Sequence, residues 1–212
     1  MRAVNPDEPP PRPLPRGRHS PGGEVVASSQ RTRLLDALVE LVAEHGYAGV
    51  KVGEIARTAG VSLSTFYAHF PGKEECFLEA YESVVQALMT DLGRSLAQVT
   101  TLEDGIEQAA VAYFAWFAGR PTAARTFLIE IRGAGNVALQ RRAEALDQFL
   151  VVFAAALERV GRADLPPPRA RLLALLGAVE ALAYDRVLAG HPEQLLDLAP
   201  DAVDAAMRLL AP

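Results

Sequence analysis

Residues 52–70 read VGEIARTAGVSLSTFYAHF, and this stretch decides the fold. Two segments of about seven residues flank the tetrapeptide Ala59-Gly60-Val61-Ser62. A helix-turn-helix needs a small residue where its second helix crosses the first, and Ala56 supplies one. Four residues later the turn needs a residue that tolerates the left-handed conformation, and Gly60 supplies that. Val61 is the apolar side chain the turn buries, Phe66 the one the second helix buries, and Ile55 and Phe70 complete a small core. The spacing predicts helices over about Val52–Ala59 and Leu63–Phe70, with Ser62 as N-cap of the second and Pro71-Gly72 stopping it. A packed helical hairpin is the bland alternative. The outer face of the second helix argues against it, because Ser62, Ser64, Thr65, Tyr67 and His69, followed by Lys73, are side chains that contact phosphates. They lie at both ends of a helix that fits the DNA major groove.

Outward from this motif the chain reads as helix throughout. Of 212 residues, 37 are Ala and 28 Leu, with only 4 Ile and 7% aromatics, a balance that excludes a β-sandwich or barrel and predicts an all-α fold. Before the motif, Leu34, Leu35, Leu38, Leu41 and Val42 form a stripe at helical spacing, with Ser28 or Ser29 as expected N-cap and Gly46 as stop. After it, helices are expected over about Lys73–Gln98, Leu102–Ala118, Pro121–Gly133, Asn136–Val160, Arg169–Ala189 and Pro192–Leu210, the last open to a break at Pro200. That makes about nine helices joined by short loops. Residues 1–27 stand apart. Seven prolines fall in the first 21 positions, so an extended or disordered arm is expected there. With Arg12, Arg16 and Arg18 it is either a solvated tail or an arm that touches DNA.

The totals exclude several classes. A single cysteine, Cys76, cannot form an internal disulfide or a thiol-rich metal site, and beside Phe77 it reads as a small core residue. The longest apolar run, Ala109 to Ala118, is too short to span a membrane, and the N-terminus lacks a signal peptide's apolar segment. A cytoplasmic protein is expected. The four histidines are dispersed without metal-ligand spacing, and no nucleophile elbow or phosphate loop is present, so neither a metal, a cofactor nor an enzymatic activity is expected. The net charge of −5 divides unevenly. Residues 76–212 hold 12 Arg against 17 acids, whereas residues 1–75 are neutral. The acidity therefore belongs to the part that faces away from any nucleic acid.

One resemblance is specific. Gly46-Tyr47, Ile55-Ala56, Ala59-Gly60-Val61-Ser62, Thr65-Phe66-Tyr67-Ala68-His69-Phe70 and Lys73-Glu74-Glu75 resemble the TetR family of bacterial transcriptional regulators. The resemblance covers about residues 28–75, and beyond it the helices agree only in number, length and order. It implies an N-terminal three-helix DNA-binding domain over 28–75 and a helical ligand-binding and dimerisation domain over 76–212. It further implies a homodimeric repressor on a pseudo-palindromic operator in double-stranded DNA, released by a small-molecule effector. By position it implies phosphate contacts from Thr65, Tyr67, His69 and Lys73, and base reading by Leu63, Ser64 and Ala68. Where many members have Thr before the motif's first helix, this chain has Val50-Lys51, with Lys51 as a charged substitute. Arg57 is either a further DNA contact or a solvated charge. Lys73 sits in a first helical turn, unfavourably for the helix dipole, which favours a functional reason for it.

In the C-terminal part, Tyr81, Tyr113, Phe114, Phe117, Phe127, Phe149, Phe153 and Tyr184 are candidates for an apolar pocket, or ordinary core. Glu180 falls inside the apolar sector of a helix and needs a partner. An Arg such as Arg132 or Arg142 serves, or a ligand's amine or hydroxyl. The resemblance implies that the last two helices form a four-helix bundle with a second subunit, and Leu172, Leu175, Val179 and Leu182 are the expected contacts. Two alternatives stay open: a regulator controlled by abundance or a protein partner, favoured by a filled core, and a helical enzyme or carrier with an incidental motif.

Overall fold

The computed structural model describes residues 21–160 and 169–210. Among these residues every regular element is helical. Nine α-helices follow in order: α1 (Pro21–Gly49), α2 (Val52–Thr58), α3 (Leu63–His69), α4 (Lys73–Ser95), α5 (Leu102–Ala118), α6 (Pro121–Ala124), α7 (Asn136–Arg159), α8 (Arg169–Leu188) and α9 (Ala199–Leu210). Short 3-10 segments extend α4, precede α7 and precede α9, and a π-helical turn (Arg125–Ile129) continues α6.

The first helix begins earlier than expected. Pro21 is its first residue, a position where the missing N–H is no loss. Residues 21–27, expected in the arm, are therefore helical, and Ser28 and Ser29 lie inside the helix rather than capping it. The Ser28 carbonyl accepts from the Thr32 hydroxyl. The rest of the arm, residues 1–20, lies outside the described residues. Gly46 does break α1, at φ 74 and ψ 155. The expected helix over 121–133 divides into α, π and 3-10 turns, and the last helix divides at Ala199, so that Pro200 falls in the first turn of α9.

Helices α1, α2 and α3 pack through Leu34, Leu38, Val42, Ile55, Ala56, Phe66 and Phe70, all at most 2% exposed. Each large apolar side chain of this kind contributes about 1.5–3 kcal/mol by burial. This core does not stop at residue 75. It continues without a break through Cys76, Phe77 and Ala80 of α4 into Phe127, Leu128 and Ile131. The remaining helices surround α5, which packs against α4, α7 and α9, while α8 lies against α7 and α9. Two smaller clusters close the far end, one around Ile106, Leu172 and Leu210 and the other around Leu92, Leu96 and Ala156.

Candidate nucleic-acid interface and internal cavity

The turn of the motif is a Schellman cap. The Val61 N–H donates to the Ala56 carbonyl at 2.9 Å and the Gly60 N–H to the Arg57 carbonyl at 3.1 Å. Such a cap needs a left-handed residue, and Gly60 adopts φ 66. Ser62 then caps α3, its hydroxyl accepting from the Thr65 N–H at 3.1 Å. At the start of α2 a carboxylate replaces the missing Thr. Glu54 accepts from the Lys51 backbone N–H at 2.9 Å, which leaves the Lys51 side chain exposed.

The consequence is an α3 with one buried edge and one free face. Phe66 is fully buried, whereas Leu63 is 50% and Tyr67 55% exposed, with Ser64 and Ala68 beside them. Ser62 and Arg57 are exposed, and Thr65 is half-buried. His69 is half-buried, its Nε2 3.3 Å from Gln30 Oε1. Arg31 is not free for a partner. It pairs bidentately with Glu79, donates to the His69 carbonyl at 3.2 Å and lies over the Phe70 ring.

Lys73 has a structural task. Its Nζ donates to the Tyr47 carbonyl at 2.7 Å and the Val50 carbonyl at 2.9 Å, and lies 4.2 Å from the centre of the Tyr47 ring. Burial holds its ammonium below the ordinary lysine range. The placement at a helix N-terminus is thus explained by the carbonyls that follow Gly46, not by the dipole of α4. The N–H of the same residue, Tyr47, donates to Glu130 Oε2 at 3.0 Å. Thr126, fully buried, donates to the Val39 carbonyl at 3.0 Å. The segment 126–130 therefore grips α1 at two points.

That same segment forms a wall of an internal cavity of about 110 Å³, room for on the order of ten water-sized molecules. Tyr81, Tyr113, Phe117, Phe127, Phe149, Phe153 and Glu180 line it. Phe114 and Tyr184 do not. Phe114 is turned one helical step from Tyr113 into the filled core, and Tyr184 lies one turn beyond Glu180 beneath the guanidinium of Arg132, 4.2 Å from its ring centre. Sequence reasoning missed the lining alanines Ala109, Ala110, Ala145, Ala202 and Ala206. Their signal is small residues at core positions of long helices, and small side chains are what leave the space.

The cavity has one polar pole. Glu180 finds its partner in Arg142, one of the two arginines expected for it. The guanidinium donates Nε–H to Oε1 at 2.8 Å and a second N–H to Oε2. Tyr81 and Tyr113 stand close enough for both charges to act on them. Burial first, then the Glu180 charge, hold both phenols well above their ordinary range, against an opposing effect of Arg142. Both therefore remain neutral O–H donors. Neither hydroxyl has a hydrogen-bond partner among the described residues. Both O–H groups stay accessible, since the Trp116 indole N–H is the only buried side-chain polar group without a partner among the described residues, and they can donate to a polar occupant of the cavity. No group of residues that could hold a metal ion occurs among the described residues.

The expected subunit contacts need correction. Leu172 and Leu175 are buried and line the cavity with Val179, and Leu182 packs into the core. The expectation failed because leucines on α8 serve the inside. Its exposed strip is Ala170, Ala174, Gly177, Ala181, Asp185 and Leu188, at spacings of three and four.

Comparison with known proteins agrees with this geometry. Residues 34–80 match the model of the tetR family of bacterial regulatory proteins. The fatty acid metabolism regulator protein of Bacillus subtilis is 25% identical over 57% of this chain and 62% of its own length. The transcriptional activator FasR of Mycolicibacterium smegmatis is 30% identical over 47% of this chain and 46% of its own. The matches thus span less than two thirds of these relatives. Among solved structures, FadR of Bacillus subtilis in complex with stearoyl-CoA superposes with a TM-score of 0.74 at 20% identity, covering 85% of this chain and 97% of its own. FadR of Bacillus halodurans, a fatty acid degradation regulator, gives the same TM-score at 19% identity over 85% and 98%. At these identities the likeness is one of fold.

Proposed function

From the match of residues 34–80 to the model of the tetR family of bacterial regulatory proteins, we propose that the chain is a DNA-binding transcriptional regulator of that family, a repressor released by an effector with a long apolar chain. One observation carries the reading: the wall of the apolar cavity and the grip on α1 belong to one segment, Thr126 and Glu130 on either side of Phe127 and Leu128. An occupant that shifts this wall shifts the helix on which α2 and α3 rest. The cavity favours an effector over control by abundance alone. Its apolar lining fits an acyl chain, and two similar proteins carry fatty acid metabolism or degradation in their names.

In this reading residues 28–75 bind DNA and 76–212 hold the effector and the second subunit. A homodimer joined along the exposed strip of α8 sets two α3 helices about 34–36 Å apart, in successive major grooves of a pseudo-palindrome. Leu63, Ser64 and Ala68 face bases; Tyr67, Thr65, Ser62, Lys51 and Arg57 face phosphates. Lys73 and His69 act mainly by holding the motif. Such a protein acts in the cytoplasm, on the nucleoid when bound.

The test is a gel shift on DNA from upstream of the protein's own gene, titrated with stearoyl-CoA. Retardation that stearoyl-CoA reverses is expected. Absence of retardation would sink the DNA-binding reading, and retardation that ignores acyl compounds of every length would move control to abundance or a protein partner. Tyr67→Phe is expected to weaken binding to all sequences alike, and Leu63→Ala to change which sequence is preferred.

A further inference from the structure

We infer that the polar pole of the cavity selects a neutral carbonyl, the thioester or ester end of an acyl chain, over the carboxylate of a free fatty acid, with Tyr81 and Tyr113 as its hydrogen-bond donors. The inference rests on the cavity being the effector site. It follows from four side chains on four helices: Tyr81 on α4, Tyr113 on α5, Arg142 on α7 and Glu180 on α8.

The position of the pole sets the ligand's orientation. On α4 the lining runs from Tyr81 to Leu92, eleven residues or about 16 Å of helix. On α7 it runs from Arg142 to Phe153, the same distance. Beyond the pole the wall is aliphatic and aromatic up to Leu92, Ile106, Phe153 and Leu172. A chain with one polar end fits only with that end at the tyrosines.

The charges decide which polar end. Arg142 is the one cation in the lining, and it is already neutralised by a two-point bond to Glu180. A carboxylate entering there loses its hydration, meets a guanidinium whose charge is already matched, and lies beside the carboxylate of Glu180. The cavity would then hold a net negative charge in apolar surroundings, which is strongly disfavoured. A neutral carbonyl loses far less on leaving water and needs only donors. Two phenol O–H groups without partners offer them.

The experiment uses the full chain and three probes of one length by calorimetry at pH 7: myristoyl-CoA, the myristoyl thioester of N-acetylcysteamine, and myristate. Both thioesters are expected to bind at least about tenfold tighter than myristate, and the simple thioester excludes the nucleotide as the cause. Glu180→Gln keeps the shape but frees the charge of Arg142, so myristate should gain about tenfold and the thioesters little. The double variant Tyr81→Phe, Tyr113→Phe should lose about tenfold for the thioesters and nothing for myristate. Myristate binding as tightly as the thioesters, or a Glu180→Gln protein with unchanged preference, overturns the inference while leaving the cavity as effector site. Absence of binding by all three overturns both.

Discussion

The two ends of this molecule use alanine for opposite purposes. In the helix-turn-helix, Ala56 is small because another helix lies against it, at 2% exposure with Phe66 and Ile55 filling the space around it. In the C-terminal part, Ala109, Ala145, Ala202 and Ala206 are small beside a void. The first kind of alanine makes a close-packed joint, and the second makes a container. The difference teaches that a composition rich in one small residue says nothing about how densely a region is packed until the neighbours are known.

Truncation should expose the contrast most strongly. Leu38→Ala, at a fully buried site of the first kind, is expected to cost about 3–5 kcal/mol in urea denaturation. Leu176→Ala, on the half-buried cavity wall, should cost less than about 2 kcal/mol, since that side chain already lacks neighbours on one side. Equal losses would break the comparison. Enlargement should act with the opposite sign. Ala56→Leu is expected to cost about 1–3 kcal/mol and to abolish DNA retardation, whereas Ala206→Leu should leave stability unchanged or raised and blunt the response to acyl compounds. A smaller effect sharpens the picture of the joint. Gly60→Ala puts a Cβ into a left-handed turn at φ 66, 3.4 Å from a guanidinium nitrogen of Arg33, and should cost about 1–2 kcal/mol.

The smallest effect is shared by both regions. Burial pushes the Cys76 thiol from 9.0 up to about 12, and it raises the phenols of Tyr47, Tyr81 and Tyr113 above 10.0. These groups keep their protons longer in the folded chain than in the unfolded one. Their contribution is intact below about pH 9 and is lost as pH rises from there through the folded values. Urea midpoints should therefore be level between pH 7 and 8 and fall by pH 10; a midpoint that rises over that interval contradicts the burial of these groups.

The motif was legible residue by residue, because a helix-turn-helix constrains neighbours in sequence: Ala56, Gly60, Val61, Ser62 and Phe66 stand within eleven positions and each has a separate steric duty. Helix boundaries were legible at Gly46, Gly60 and Ser62, but not at Ser28 or Ser29, which lie inside α1. The cavity was legible only as a set of aromatics. Its volume depends on which faces of α4, α5, α7 and α8 meet, and periodicity along one helix carries no information about the next. The same limit misplaced Leu172 and Leu175, whose spacing suits an outer face as well as an inner one. Lys73 was read for its charge, while its task lay in two carbonyls more than twenty residues away.

Trp116 has a use beyond the packing of α5. It is the only tryptophan in the chain, it is 6% exposed, and its ring carries the Arg120 guanidinium at 4.4 Å. It stands one helical turn from Tyr113, and its indole N–H has no partner. The chain thus contains one tryptophan fluorophore in a mostly buried, electrostatically asymmetric setting on a helix that borders the cavity. Its emission wavelength and quenching by iodide register a shift of α5 without any label. A change at the cavity can therefore be followed optically during a titration of the full chain.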